Sequence, residues 1–316
     1  MLESRALILA KIEATYGTDS APVIATDAIL TSKPTVEIIE ETKAREVVLP
    51  YMGKLKDIPL GVGVKISFSV EVRGSGTAAT PPRIGAILRA CGFTQTLVVG
   101  PPAYVTYDPN SAQDIESNTV YFYLDGLLWK ALGCVGNSCK LTMKTNEIAK
   151  FDFELTGLWG GVASITEVAF PSPTFGDSIT PPILRSATFT IDTYAAIIES
   201  IETNLANTII KRASANTSTG ILRYSRIARE ISGSCDPEVV ALATYNPLTT
   251  WEAGTTGAIA VTVGNTTGNR LIVAIPNAMK KAPKFGAREG IVTYAIEFSA
   301  NPTMVAGNTE VQFKFD

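Results

Sequence analysis

From Lys65 to Val72 the chain alternates without a break, with Ile66, Phe68, Val70 and Val72 on one side and Lys65, Ser67, Ser69 and Glu71 on the other. A period of two marks an antiparallel strand with one face buried and one wet. Ile148–Thr156 repeats the pattern: Ala149, Phe151, Phe153 and Leu155 are set to bury, and Ile148, Lys150, Asp152 and Glu154 to face water. It is expected to pair with Lys140–Met143 across Lys144–Glu147. Val120–Leu124 and Leu127–Leu132 flank Asp125-Gly126, a pair that accepts the positive φ values of a type I′ turn, so they predict a hairpin. Shorter runs predict strands at Val36–Glu40, Phe93–Val99, Ser186–Ile191, Ala195–Glu202, Ile221–Ile231, Ala258–Val263, Asn269–Ile275, Ile291–Ser299 and Glu310–Phe315.

Three stretches break this rhythm. Met1–Lys33 holds one apolar patch (Ala6, Leu7, Ile8, Leu9, Ile12) before a Gly17–Pro22 break, and reads as an extended arm with one brief ordered element rather than a core strand pair. Thr42–Gly63 has no clear period, and an excursion of that length in a compact domain is more often functional than idle. Gly160–Pro182 is rich in Gly, Ser, Thr and Pro, the composition of a linker.

The chain also matches itself. Shifted by 159 positions, Val36–Gly76 lies over Ala195–Cys235, matching Ile38-Ile39-Glu40 to Ile197-Ile198-Glu199, Gly61 to Gly220, Glu71 to Glu230, and Gly74-Ser75 to Gly233-Ser234. Each copy then runs into a helix start. Thr80-Pro81-Pro82 precedes Ile84, Ile87, Leu88 and Cys91, and Asp236-Pro237-Glu238 precedes Val239, Val240, Leu242 and Ala243. A capping residue followed by proline suits the first helical turn, where no N–H is needed. Ile291–Ala300 corresponds to Ile148–Gly157 at a different offset, with Glu297 over Glu154. The fold expected is all-β with short helices: two tandem β-sandwich or barrel-like domains, each with one short helix, at 1–165 and 183–316, joined by a linker at 166–182.

Composition narrows the function. Across 316 residues, 27 basic and 30 acidic side chains nearly cancel, so no bulk positive field exists to hold nucleic acid by counterion release. No apolar run approaches the ~20 residues that cross a bilayer as a helix, and Leu7–Ala10 is too short for a signal-peptide core. The sequence contains no histidine. That removes Ser-His-Asp and Cys-His chemistry, the common zinc sites and the usual general base near neutral pH. Cys91, Cys134, Cys139 and Cys235 fit no zinc-ribbon spacing and read as buried thiols. Asp152 and Glu154 stand two apart on a wet strand face, unlike the carboxylates of glycosidases, which face each other across a cleft. Lys280-Lys281 and Lys284 form a small basic cluster without the glycine-rich turn into a helix that a phosphate site needs. These residues argue for assembly rather than catalysis: no enzyme, no cofactor and no metal is expected.

The opening Leu7-Ile8-Leu9-Ala10-Lys11-Ile12-Glu13-Ala14-Thr15-Tyr16-Gly17-Thr18-Asp19, followed by Ala28-Ile29-Leu30 and Gly74-Ser75-Gly76, resembles the start of tail tube proteins (major tail proteins) of long-tailed, non-contractile bacteriophages. The likeness is clearest over Met1–Phe93, extends over Val120–Gly157, and reaches the second half through the internal repeat.

The resemblance implies a structural virion protein, assembled in the host cytoplasm, whose rings stack into the conduit for DNA ejection. Most such rings use six copies of one domain, so a duplicated chain implies a trimeric, pseudo-sixfold ring. The loop at 42–63, with Lys43, Arg45, Leu49, Tyr51, Met52, Lys54, Leu55 and Lys56, corresponds to the inter-ring stacking loop, and Leu7, Ile8, Leu9, Ile12 and Tyr16 to a contacting N-terminal arm. Glu71, Asp152, Glu154, Glu230 and Glu297 are the lumen-facing acidic candidates. Partners implied are further copies of the chain, tape-measure, terminator and distal-tail proteins, and DNA that passes without specific binding; no membrane is implied. Two other readings fit the residues: a carbohydrate- or cell-surface-binding β-sandwich protein, from three Trp and ten Tyr on a β scaffold, and the inner tube of a contractile tail.

Overall fold

Two stretches that the polar pattern separates, Leu127–Leu132 and Lys140–Met143, belong to one strand. Leu127–Lys144 runs continuously, and its ladder with the next strand slips between Leu132 and Val135 and again between Gly136 and Ser138. Glycine makes the slips possible. Gly133 sits at φ 59 against the Tyr16 ring, and a Cβ on Gly136 would strike Cys91 Sγ and lie 2.9 Å from its Cα.

The computed structural model describes Leu2 and residues 5–160, 165–173, 175, 179–185 and 187–316. In chain order the first half holds β1 (Ala6–Ile12), α1 (Ile24–Asp27), β2 (Ala28–Ile29), β3 (Thr35–Ile39), β4 (Thr42–Lys43), β5 (Ile58–Pro59), β6 (Gly63–Glu71) and α2 (Gly85–Ala90). β7 (Phe93–Val98), β8 (Tyr104–Pro109), β9 (Asn118–Leu124), β10 (Leu127–Lys144), β11 (Lys150–Trp159) and β12 (Ile165–Glu167) follow. The second half holds β13 (Thr188–Ile191), β14 (Ser200–Ala213), β15 (Ile221–Cys235), α3 (Pro247–Glu252), β16 (Thr256–Val263), β17 (Leu271–Lys280), β18 (Lys284–Arg288), β19 (Ile291–Ala300) and β20 (Gln312–Phe315). The protein is all-β with three short helices among the described residues, as its alternation predicts.

One order of strand pairing occurs twice. In the first half β1 pairs with β9, β9 with β10, β10 with β11, β11 with β6 and β6 with β3, all antiparallel. In the second, β13 pairs with β16, β16 with β17, β17 with β19, β19 with β15 and β15 with β14. The residue correspondence differs from the gapless self-match. Ser67 stands opposite Glu154 and Ser234 opposite Glu297, so Ser67 corresponds to Ser234, whereas the self-match sets it over Arg226. The chance identities at Gly74-Ser75 and Gly233-Ser234 pull that alignment out of register: Gly233 and Ser234 lie inside β15, while Gly74 and Ser75 lie beyond β6.

Three expectations need correction. Leu7–Ala10 are not part of an arm: β1 is a core strand, paired with β9 along seven positions and with β2, and Leu7, Ile8 and Leu9 are at most 2% exposed. The helix expected at Pro237 is absent, because Glu238 and Val239 donate to Ile197 O and Val292 O and continue the β15 edge. Asp236 instead accepts from the backbone N–H groups of Glu199 and Ser200. The helix comes later, at α3, where the Asn246 side chain accepts from Leu248 N and Thr249 N and Pro247 opens the first turn. The strand expected over Ala195–Glu202 begins only at Ser200 and continues to Ala213. Of the linker, 161–164, 174 and 176–178 lie outside the described residues, as does Ser186 of the strand expected there; Ile165–Glu167 forms β12 and pairs with Leu127–Trp129.

The alternating faces meet in one core. Ile66, Phe68 and Val70 of β6, Phe151, Phe153 and Leu155 of β11, and Ile296 and Phe298 of β19 lie within it. β20 stitches the halves together: it pairs with β17 and β8, and Phe313 packs on Phe93 and Phe151 at ring-centroid distances of 5.2 and 5.4 Å.

Candidate assembly surface

The second half of β10 has a strand on each edge. β11 lies on one side, and on the other β14, from the second half of the chain, takes over where β9 ends, pairing Ser138–Lys144 with Ser200–Ala206. One hydrogen-bonded sheet therefore runs β3-β6-β11-β10-β14-β15-β19 and on into β17 and β18, through both halves. At its two ends, among the described residues, β3 pairs with β6 alone and β18 with β19 alone. Nothing in the residue pattern marks the β10–β14 junction, since each of these strands alone reads as an ordinary amphipathic one.

One face of this sheet is core and the other polar. The polar face carries Glu71, Asp152, Glu154 and Glu297, the acids singled out from alternation, and brings lysines among them. Lys65 meets Glu154 at 2.9 Å, Lys140 meets Glu202 at 2.9 Å, Arg73 meets Glu71 at 2.6 Å, and Lys281 and Lys284 approach Glu297 at 3.3 and 3.7 Å. Asp152 accepts from the Ser69 hydroxyl, and Glu230 is exposed on β15 beside Ile231. Partial burial works against the Glu154 carboxylate, but Lys65 and Asn137 outweigh it and hold its pKa below the ordinary range. Hydrogen bonding from Lys281, with Lys284 nearby, lowers that of Glu297. The result is a charge-paired face rather than an acidic one. Exposed pairs contribute about 0–1 kcal/mol each, so their importance lies in the neutrality of the surface.

The 42–63 excursion leaves the sheet between β3 and β6 and closes on the two-residue β4–β5 ladder. Lys43, Arg45, Tyr51, Met52, Lys54 and Lys56 are exposed, Leu49 and Leu55 partly so, and Val48 and Met52 are bare of any neighbour in the chain. Lys54 pairs with Asp57 at 2.9 Å. The counterpart between β14 and β15 is the short polar turn of residues 214–220.

The supposed arm residues lie elsewhere. Leu7, Ile8 and Leu9 are core, Ile12 ends β1, and the Tyr16 hydroxyl accepts from Tyr224 N at 2.8 Å; burial drives its pKa well up against that hydrogen bond. Glu13, missed as a structural residue, gathers Gly17 N, Ser117 Oγ, Thr119 Oγ1 and Gly133 N around one buried carboxylate. Arg226, also missed, is 4% exposed and donates to Asn110 O and Ala112 O; burial, reinforced by Arg229, lowers its pKa to about 10.

No three His, Cys, Asp or Glu residues converge on a possible metal position among the described residues, and no helix is long and apolar enough to cross a membrane. All four cysteines are buried and free. Trp129 and Trp159 pack against the core instead of presenting stacking faces.

No curated protein matches the chain. The sequence profile of a family described as Phage tail tube protein matches residues 3–300. Matched over nearly its whole length, on an all-β framework with a sheet open at both ends, this chain belongs to the phage tail tube protein family, whose members are structural components of the virion.

Proposed function

We propose that the protein polymerises as stacked rings into the tube through which phage DNA is ejected. The sheet that crosses both halves and ends in two open edges carries this reading. An exposed edge is a liability in a monomer, because its N–H and C=O groups are unpaired, and an asset where a second copy can pair with it. β17 and β18 lie end to end along β19, so each chain spans eight strand positions of that sheet. Read as two copies of one domain, 1–165 and 183–316, three chains make a pseudo-sixfold ring. With neighbouring strands about 4.8 Å apart, twenty-four of them enclose a wall roughly 37 Å across before tilt widens it. That leaves room for side chains and a duplex of about 20 Å.

The core face of the sheet turns outward in such a ring and the charge-paired face lines the bore. A neutral wall neither grips a polyanion nor bars it. The 42–63 loop, whose Val48 and Met52 are fully exposed, serves as the contact to the next ring, and only the first half supplies it. Tape-measure, terminator and distal-tail proteins complete the tail, which assembles in the host cytoplasm. Electron microscopy of the purified protein tests the reading: hollow tubes or rings are expected, and a stable monomer at high concentration would count against it.

A further inference from the structure

The junction inside the chain is a template for the contact between chains. β14 lies antiparallel on β10 with Cys139 opposite Leu205, Lys140 opposite Asn204 and Leu141 opposite Thr203. Strand pairing identifies the counterparts of both partners at the open ends. Leu141 stands opposite Phe151 and Phe285 opposite Tyr294, so β18 occupies the place of the second half of β10. Thr35 stands opposite Ser67 and Glu202 opposite Ser234, so β3 occupies the place of β14. Burial differs as an unfilled junction requires. Leu141 is 0% exposed and Leu205 1%, while their counterparts Phe285 and Ile38 are 68% and 37% exposed.

We infer that a second copy of this chain fills each open edge: β18 of one chain pairs antiparallel with β3 of the next, setting Pro283 opposite Ile38, Lys284 opposite Glu37 and Phe285 opposite Val36. The inference rests on the self-assembly reading above and gives it a register. The pairing covers Phe285 and Ile38 and satisfies both strand edges. Lys284, 76% exposed and 3.7 Å from Glu297, gains an acid directly across the ladder. Because the two edges differ, the contact is heterologous and propagates head to tail until a ring closes.

Paired cysteines read the register directly. A chain carrying Val36→Cys with Phe285→Cys is allowed to assemble and then oxidised; the native thiols are sealed in the core. A ladder of covalent oligomers ending at the ring number is expected on a non-reducing gel. A chain carrying Val36→Cys with Ala287→Cys, two positions away, should crosslink far less, since a disulfide tolerates little separation. Independently, Lys284→Glu and Glu37→Lys should each weaken assembly about two- to fivefold, by placing like charges across the ladder, and the double exchange should recover it. Tubes without the 36–285 crosslink, equal crosslinking at 287, or no recovery in the double exchange would overturn the register and leave the tube standing. Failure of the unaltered chain to assemble would remove both.

Discussion

Lys280 is 1% exposed and its ammonium is held by Asp192, a residue kept at φ 51. Removing one partner of a buried pair strands the other charge, so Lys280→Met is expected to destabilise the fold by about 3 kcal/mol in chemical denaturation. A loss below about 1 kcal/mol would show that Asp192 is solvated well enough to stand alone. Asp316 gives a pH-dependent counterpart. Arg270 grips its carboxylate through Nε at 2.6 Å and a second nitrogen at 2.8 Å, and this hydrogen bonding holds its pKa below the ordinary range. A carboxylate depressed in the folded state adds stability above its unfolded pKa of about 3.9, and that contribution fades as pH falls through the folded value. Asp316→Asn should therefore cost stability at pH 7, with the gap between variant and parent closing below about pH 4; a gap unchanged at pH 3 would contradict the pairing. Neither pair was visible in the sequence, because its members lie far apart along the chain and meet only when the strands are laid side by side.

Among the elements, β10 shows how far local pattern reaches. Its two ends were legible from alternation and from Asp125-Gly126, which adopt the positive φ values of 30 and 100. Its middle was not, since Gly133 and Gly136 mimic a loop yet serve as bulges, the first against Tyr16 and the second against Cys91 at the end of α2. Gly136→Val should cost about 1–3 kcal/mol, because Cys91 and the helix behind it must move; a thermal midpoint equal to the parent's would refute that packing. The first strand misled in the opposite sense: β1 is a run of apolar residues buried on both faces, and such a run carries no alternation to read. The second helix failed for a different reason. Asp236-Pro237 and Asn246-Pro247 offer the same local signal, and only the hydrogen bonds from Glu238 and Val239 to neighbouring segments decide between them. The 42–63 loop was legible from its lack of period. Deleting Leu49–Lys56 should leave the monomer's melting unchanged and abolish tube growth while rings persist; normal tube length after the deletion would exclude the loop from stacking.

For the whole molecule, the self-match did not give the register of the strand-pairing order that occurs twice. Short identities can align a repeat wrongly by several residues, while strand pairing fixes it, because each partner across a ladder is determined by the next. The β10–β14 ladder and β20 join the halves. Phe313→Ala, which empties the aromatic contact between them, should cost about 3–5 kcal/mol and keep a single unfolding transition, whereas two separate transitions would mean the halves fold alone. Alternation placed the acids and some lysines on the polar sheet face but not their pairing, because the partners of Glu154 and Glu297, Lys65 and the Lys281–Lys284 pair, lie on neighbouring segments. In the proposed ring one chain supplies an arc eight strands wide and three chains close the wall. Cryo-electron microscopy of the assembled tubes, with symmetry left free, decides this. Threefold rings with the β3 edge of one chain against the β18 edge of the next are predicted; sixfold rings of whole chains, or a wall not built from this sheet, would contradict it.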